Sequence, residues 1–432
     1  MSPSLDFARV ARLLREGGWV AVGQAASMLG ALVLVRVLTE SLDPAQYGQI
    51  ALGLTVALLV NQVVMGGVNN GIGRFYSIAL EQDALPDYLG ASRRLMDFAV
   101  LTVFGIGIVL LAVLWMAGLT HWMGLTLAIL LFSILTGCNA TLVSIQNAAR
   151  QRLVVAIHGG AEAWLKILLV GWAVILLGRS STAVIIGFAA STFVVMCSQA
   201  LFLRNQIPGG SKAEPRGDEW FTKMWMFSWP FSVWGIFSWI QQSANRWALE
   251  WFRSTEDVGL FSVLYQIGFT PLSLLVGLLI VFLGPILFQR AGNSTDSSRT
   301  AEVDRIIWRL AGTGLAFTGI AFILTWWLHS WIFGLLVASK YRHVSHLLAW
   351  MVLAGGLLGI AQILNQKIFC DLSTRRMILP GVVTPLISLG ASLAGAHWYG
   401  VKGVVAANLL YAALNLAWIA LIVRHGSRGG GP

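Results

Sequence analysis

The sequence predicts an all-α membrane protein of about twelve transmembrane helices, arranged as two six-helix lobes around a central cavity. Three observations carry that prediction. Of 432 residues, 57% are hydrophobic and only 11% are charged, with a mean hydropathy of +0.74. A soluble globular chain is roughly a quarter charged, so the polar side chains here cannot cover a water-facing surface, and lipid must be the solvent. Next, apolar runs recur at bilayer-spanning length. At about 20 residues per span plus short connections, the chain has room for about a dozen helices. A β-barrel would need short alternating segments, whereas these runs are long and continuous. Finally, Lys and Arg occur in short clusters between the runs. The net charge of +10 therefore reads as a topology signal and not as a nucleic-acid surface.

The elements follow in order. Residues 1–16 form an amphipathic cytoplasmic N-terminus, where Leu5, Ala8, Arg9 and Arg12 fit a short interfacial helix. Arg9, Arg12, Arg15 and Glu16 ahead of a long apolar run argue against a cleavable signal peptide. The N-lobe, 17–203, contains spans at 17–38, 49–70, 95–117, 122–145, 153–178 and 182–203. Residues 204–223, with Pro208-Gly209-Gly210-Ser211, read as a cytoplasmic linker. The C-lobe, 224–424, contains spans at 224–246, 258–289, 306–328, 344–366, 377–399 and 402–424, and residues 425–432 form a cytoplasmic tail. Helix satisfies every backbone group within such a run, which hydrocarbon requires. With the N-terminus in the cytoplasm, 21 of the 29 Lys and Arg fall on the cytoplasmic side, 7 fall opposite, and Lys166 stands alone within a span. That bias predicts an even helix count with both termini cytoplasmic.

The halves repeat. Trp19 to Arg36 on the first helix and Trp229 to Arg246 on the seventh are both intervals of 17 residues. An acidic stretch follows each Arg, and then a Gly opens the next helix: Tyr47-Gly48-Gln49-Ile50-Ala51 in one half, Val258-Gly259-Leu260-Phe261-Ser262 in the other. A parallel duplication of this kind predicts a cavity between the halves that serves alternating access.

At these residues the chain resembles a known family. Tyr47-Gly48-Gln49-Ile50-Ala51 is similar to a stretch of polysaccharide exporters, as is Asp257-Val258-Gly259-Leu260-Phe261-Ser262-Val263-Leu264-Tyr265-Gln266. Tyr399-Gly400-Val401-Lys402-Gly403-Val404-Val405-Ala406-Ala407 resembles the Gly-x-x-Gly-x-Ala opening of that family's last helix. The family is the polysaccharide transport, Wzx-like O-antigen flippase branch of the multidrug/oligosaccharidyl-lipid/polysaccharide superfamily. The resemblance implies twelve helices in two lobes in a bacterial inner membrane. It also implies transfer of an undecaprenyl-pyrophosphate oligosaccharide to the periplasmic leaflet, with membrane lipids and other polysaccharide assembly proteins as partners. It carries no catalytic motif and no cofactor.

Charges inside a bilayer cost on the order of 2.5–3.5 kcal/mol on insertion scales, so they mark candidate sites. His158, Glu162 and Lys166 recur every four residues on the fifth span and share one helical face. In the functional reading Lys166 attracts a lipid pyrophosphate while Glu162 or His158 titrates; in the plainer one an ion pair holds helices together. Arg36 and Arg246, at matching outer ends, either grip phosphate or snorkel to headgroups. Arg74, at the inner end of the second span, either meets an entering anionic headgroup or only sets topology. Gln241, Gln242 and Asn245 beside Arg246 cover two faces, which places part of the set toward a hydrophilic lumen. No metal site is expected, and Cys138, Cys197 and Cys370 read as buried apolar residues. Trp115, Trp122, Trp326, Trp327 and Trp331 fit an interfacial belt. Trp225, Trp229, Trp234 and Trp239 face either lipid or a stacked sugar, and Pro230, Pro271 and Pro385 mark kinks.

Two other classes compete with a flippase. A MATE-type exporter of cations would favour acidic membrane residues, whereas Arg36, Lys166 and Arg246 outnumber Glu162. A membrane-embedded glycosyl- or acyltransferase needs a sizeable outer loop or clustered acid–base groups, and the outer loops here are short. The sequence therefore predicts a transporter and not an enzyme.

Overall fold

The computed structural model describes residues 7–204, 217–291, 297–371 and 373–426. Across them run twelve long helices, and no strand occurs among these residues. In the first half these are α1 Phe7–Ser41, α2 Pro44–Glu81, α3 Leu85–Met116, α4 Met123–Ala148, α5 Arg152–Leu177 and α6 Ser181–Arg204. In the second half α7 is Gly217–Phe252, and α8 runs through Thr255–Leu264, a π turn at Tyr265–Phe269, and Thr270–Ala291. Then follow α9 Ser297–Leu336, α10 Leu348–Cys370, α11 Ile378–Tyr399 and α12 Val401–Gly426.

Eleven of these helices are long and apolar enough to cross a bilayer. The twelfth, α7, is long enough at 36 residues but less apolar, because it carries seven Trp, Pro230 and the polar run Gln241, Gln242, Asn245 and Arg246. The chain is a multi-pass membrane protein of the predicted all-helical class. Three predicted segments fall partly outside the described residues: 1–6 of the N-terminus, 205–216 of the linker with Pro208-Gly209-Gly210-Ser211, and 427–432 of the tail. Where they are described, residues 7–16 continue without a break into α1, and residues 217–223 are the opening turns of α7.

Local chemistry fixes the helix ends and irregularities. Ser254 caps α8 by accepting the Asp257 N–H at 3.2 Å, with Glu256 and Asp257 in the positively polarised first turn. The π turn of α8 ends just before Pro271, which has no N–H and whose ring would strike the carbonyl four residues back. The Thr270 hydroxyl donates to the Tyr265 carbonyl at 3.2 Å and satisfies part of what the turn releases. A matching π turn interrupts α2 at Asn61–Met65 without any proline, and there the Asn61 amide donates to the Ala57 carbonyl at 2.9 Å. Pro230 and Pro385 lie inside α7 and α11.

The chain forms two compact units. The first comprises Met1–Val37 with Gln49–Trp239, the second Leu38–Gly48 with Ile240–Pro432. Lipid tails are as apolar as leucine, so close packing and interhelical hydrogen bonds hold each unit together. In the first unit Met65, Ile72, Tyr88, Leu95, Val103 and Met224 are fully buried together, and the Tyr88 hydroxyl donates to the Ile72 carbonyl at 2.7 Å. In the second, Val303 and Ile307 of α9 pack with Leu364 and Ile368 of α10 and Val423 of α12.

The quoted motifs are packing devices of the second unit. A Cβ on Gly48 would collide with the Thr255 carbonyl, and one on Gly259 with the Pro44 carbonyl, so the two glycines let the starts of α2 and α8 cross backbone to backbone. Nearby, the Tyr341 hydroxyl donates to the Leu42 carbonyl at 3.3 Å, and Tyr47 meets the Tyr341 ring edge to face at 6.1 Å. Gly400 ends α11 at φ +59°, and Gly403 lies so close to the Gly395 backbone that neither position accepts a side chain.

Candidate functional site

In the first unit the α5 stripe forms a network that reaches three helices. Glu162 Oε1 lies 2.8 Å from Lys166 Nζ one turn along, and the two side chains are 16% and 26% exposed. The same oxygen accepts the Thr192 hydroxyl of α6 at 2.9 Å, and Oε2 accepts the Asn139 amide of α4 at 3.4 Å. His158 sets one ring nitrogen 2.8 Å from the Val154 carbonyl and the other 3.0 Å from the Ser198 hydroxyl of α6. The three stripe residues therefore do share one face. The carboxylate is held by a cation, a hydroxyl and an amide, which is what keeps a charge tolerable in a low-dielectric setting.

On α4 and α6 several polar atoms are buried and, among the described residues, have no hydrogen-bond partner: Asn139 Oδ1, Gln199 Oε1 and both side-chain polar atoms of Gln146.

The second unit holds another set, from α7, α8, α11 and α12. Asn245 donates to Asn408 Oδ1 at 3.0 Å and accepts the Ser392 hydroxyl at 2.6 Å, while Gln241 donates to the Tyr411 hydroxyl. Arg246 stands over the Tyr265 ring, 4.9 Å from its centroid, with Nε donating to the Ser262 hydroxyl at 3.2 Å and Nη1 to the Gln242 carbonyl at 3.1 Å. A guanidinium stacked on an aromatic face is fixed in orientation and keeps further donors for an anion. Arg36 is half-buried on α1. Arg74 is exposed, two turns before the end of α2, which runs further than the sequence predicts.

Sequence reasoning did not single out Thr192, Ser198, Ser392 or Tyr411. Such residues have no signature until the helix that faces them is known. Lys367 is a different omission: it lies one residue past the predicted span 344–366, yet it is only 2% exposed, with Nζ 2.6 Å from Asp371 Oδ1. Its spacing of four from Asp371 was the available signal. Among the described residues no three His, Cys, Asp or Glu side chains converge to hold a metal.

Twelve long helices, eleven of them long and apolar enough to cross a bilayer, and two buried polar networks define a multi-pass helical membrane protein. Solved structures bear out that fold. The inward closed lipid II flippase MurJ superposes with a TM-score of 0.71 at 13% identity, covering 95% of this chain and 87% of that one. An inward-facing multidrug resistance MATE transporter of the MOP superfamily gives 0.67 at 11% identity, covering 94% and 96%. A variant of the Vibrio cholerae MATE transporter VcmN gives 0.61 at 15% identity, covering 98% and 97%. No curated protein matches by sequence. The profile of the family "Polysaccharide biosynthesis protein" matches residues 13–291, and the chain belongs to that family.

Proposed function

We propose that the protein moves an undecaprenyl-pyrophosphate-linked oligosaccharide from the cytoplasmic to the periplasmic leaflet of a bacterial inner membrane by alternating access. Membership of a polysaccharide biosynthesis family, in a chain that consists of membrane helices, is the observation that carries the proposal. Both termini face the cytoplasm in this reading, in accord with the bias of Lys and Arg. Lys166 and Arg246 supply cationic groups suited to a diphosphate. The amides Gln241, Gln242, Asn245 and Asn139 suit sugar hydroxyls. Arg36 and Arg74 serve as outer and inner approach points for the anionic headgroup. Glu162 holds Lys166 neutralised until the diphosphate takes its place, and His158 and Glu162 are the groups that couple the cycle to an ion gradient. Membrane lipids and other polysaccharide assembly proteins are the partners of this activity.

A second reading, export of small organic cations, is favoured by one observation: Glu162 is a mid-span carboxylate on a fold shared with MATE transporters. Reconstituted vesicles separate the two. With a radiolabelled lipid-linked oligosaccharide in the outer leaflet, wild type should translocate it, and Lys166→Ala should insert normally but lose at least about tenfold in rate, the equivalent of one charge-assisted contact. Export of an organic cation by vesicles that leave the lipid in place would transfer the assignment to the second reading.

A further inference from the structure

The second half of α8 and helices α9 and α10, all of the second unit, enclose a cleft of about 430 Å³. Its walls are hydrocarbon almost throughout, with Leu279 and Leu283 from α8, Phe317 from α9, and Ile360 and Ile363 from α10. Even Thr313 contributes mainly its methyl, because its hydroxyl is turned back onto the Arg309 carbonyl at 2.9 Å. Two glycines widen the cleft. A Cβ on Gly284 would come no closer than 3.8 Å to any atom, and one on Gly314 no closer than 3.4 Å. Neither glycine is required by packing, and both leave room for something broader than a straight chain.

The cleft also has a charged end. Along α9, Arg305, Arg309, Thr313 and Phe317 follow one another at intervals of four and form one row. Phe317 and Thr313 line the cleft, while Arg309 and Arg305, both exposed, continue the row beyond it. At about 1.5 Å per residue the row extends over about 18 Å. An apolar cleft with two guanidiniums one and two turns further along the same helix matches a ligand with a hydrocarbon chain and a phosphorylated head. In the orientation proposed above, the arginines stand at the cytoplasmic end, the leaflet from which the cargo would enter.

We infer that this cleft seats the polyprenyl chain of the cargo as it enters from the cytoplasmic leaflet, with the diphosphate held at that first stage by Arg305 and Arg309. The methyl branches of a polyprenyl chain suit the width left by Gly284 and Gly314, which a linear acyl chain would underfill. The inference rests on the lipid-linked cargo proposed above, and it assigns that cargo's chain a place separate from the two polar networks.

The test uses the full-length protein in nanodiscs and an undecaprenyl diphosphate probe with a diazirine in its chain. After illumination, labelled peptides are mapped by mass spectrometry. Labels are expected on α8, α9 and α10 around Leu279, Leu283 and Phe317, with competition by unlabelled undecaprenyl diphosphate and not by the same excess of phosphatidylglycerol. Gly284→Leu and Gly314→Leu should cut labelling at least about tenfold, because each chain carbon displaced costs about fourfold in affinity. Gly277→Ala, on the same helix but outside the cleft lining and with nothing within 4 Å of the added carbon, should label as wild type and is the control for a glycine substitution in α8. Arg305→Gln with Arg309→Gln should weaken labelling and leave the labelled peptides unchanged. Equal competition by phosphatidylglycerol would reduce the cleft to an ordinary lipid groove, and labelling confined to other helices would overturn the inference. Flipping measured on the same samples keeps the two proposals apart. A wild type that flips while Gly284→Leu and Gly314→Leu flip equally well overturns only the cleft, whereas a wild type that does not flip overturns the proposed function.

Discussion

At Glu162, one oxygen receives both the Lys166 ammonium and the Thr192 hydroxyl, so the charge and the helix packing share an atom. Removing either partner tests what the pair does. Glu162→Ala leaves Lys166 about three-quarters buried with no counter-charge, and the loss of stability should be about 3–5 kcal/mol. Replacing both members by leucine removes the desolvation cost along with the attraction. The double variant should therefore recover a thermal midpoint in detergent near that of wild type. The two leucines should nevertheless abolish flipping. A double variant that transports normally would show that the pair only holds helices together. A similar separation applies to Arg246, whose stacking on Tyr265 a lysine cannot reproduce in the same geometry.

Between elements, the crossing of α2 and α8 sets the tightest tolerance. Gly259→Leu should destabilise by more than the usual overpacking cost of about 1–3 kcal/mol, because backbone and not a movable side chain lies opposite. Monodispersity in size-exclusion chromatography and the thermal midpoint would report it. Gly277→Ala, on the same helix with nothing within 4 Å of the added carbon, is the matched control and should be neutral or slightly stabilising. If both variants behave alike, the crossing is not the constraint described. This pair also shows what the sequence revealed. Gly48 and Gly259 were recognisable as corresponding positions of a repeat, but nothing in the sequence indicated that they contact one another. The α5 stripe was legible because its partners are four residues apart on one helix. Thr192 and Asn139 were not, because contacts between helices depend on rotations that hydropathy does not encode. The π turn at Pro271 could be expected from the proline, whereas its counterpart at Asn61–Met65 has no local marker.

For the whole molecule, the charge bias makes a directional prediction. Reporters inserted at Asp83, between α2 and α3, should be active in the cytoplasm, and those inserted at Ser180, between α5 and α6, should be active only in the periplasm. The reverse pattern at both points would invert the proposed direction of entry, and with it the leaflet assigned to Arg305 and Arg309. Helix number was readable from composition and spacing because the bilayer imposes a common length on each element. The one long helix outside the apolar set is α7, whose tryptophans, serines and Gln241-to-Arg246 run lower its hydropathy. That helix holds seven of the protein's 19 Trp, and it also contributes residues to both compact units, which divide between Trp239 and Ile240. More than a third of the protein's indoles therefore sit on a single segment, so the part of a cargo-induced spectral shift that is lost when those seven are replaced by Phe would follow that helix without any attached dye.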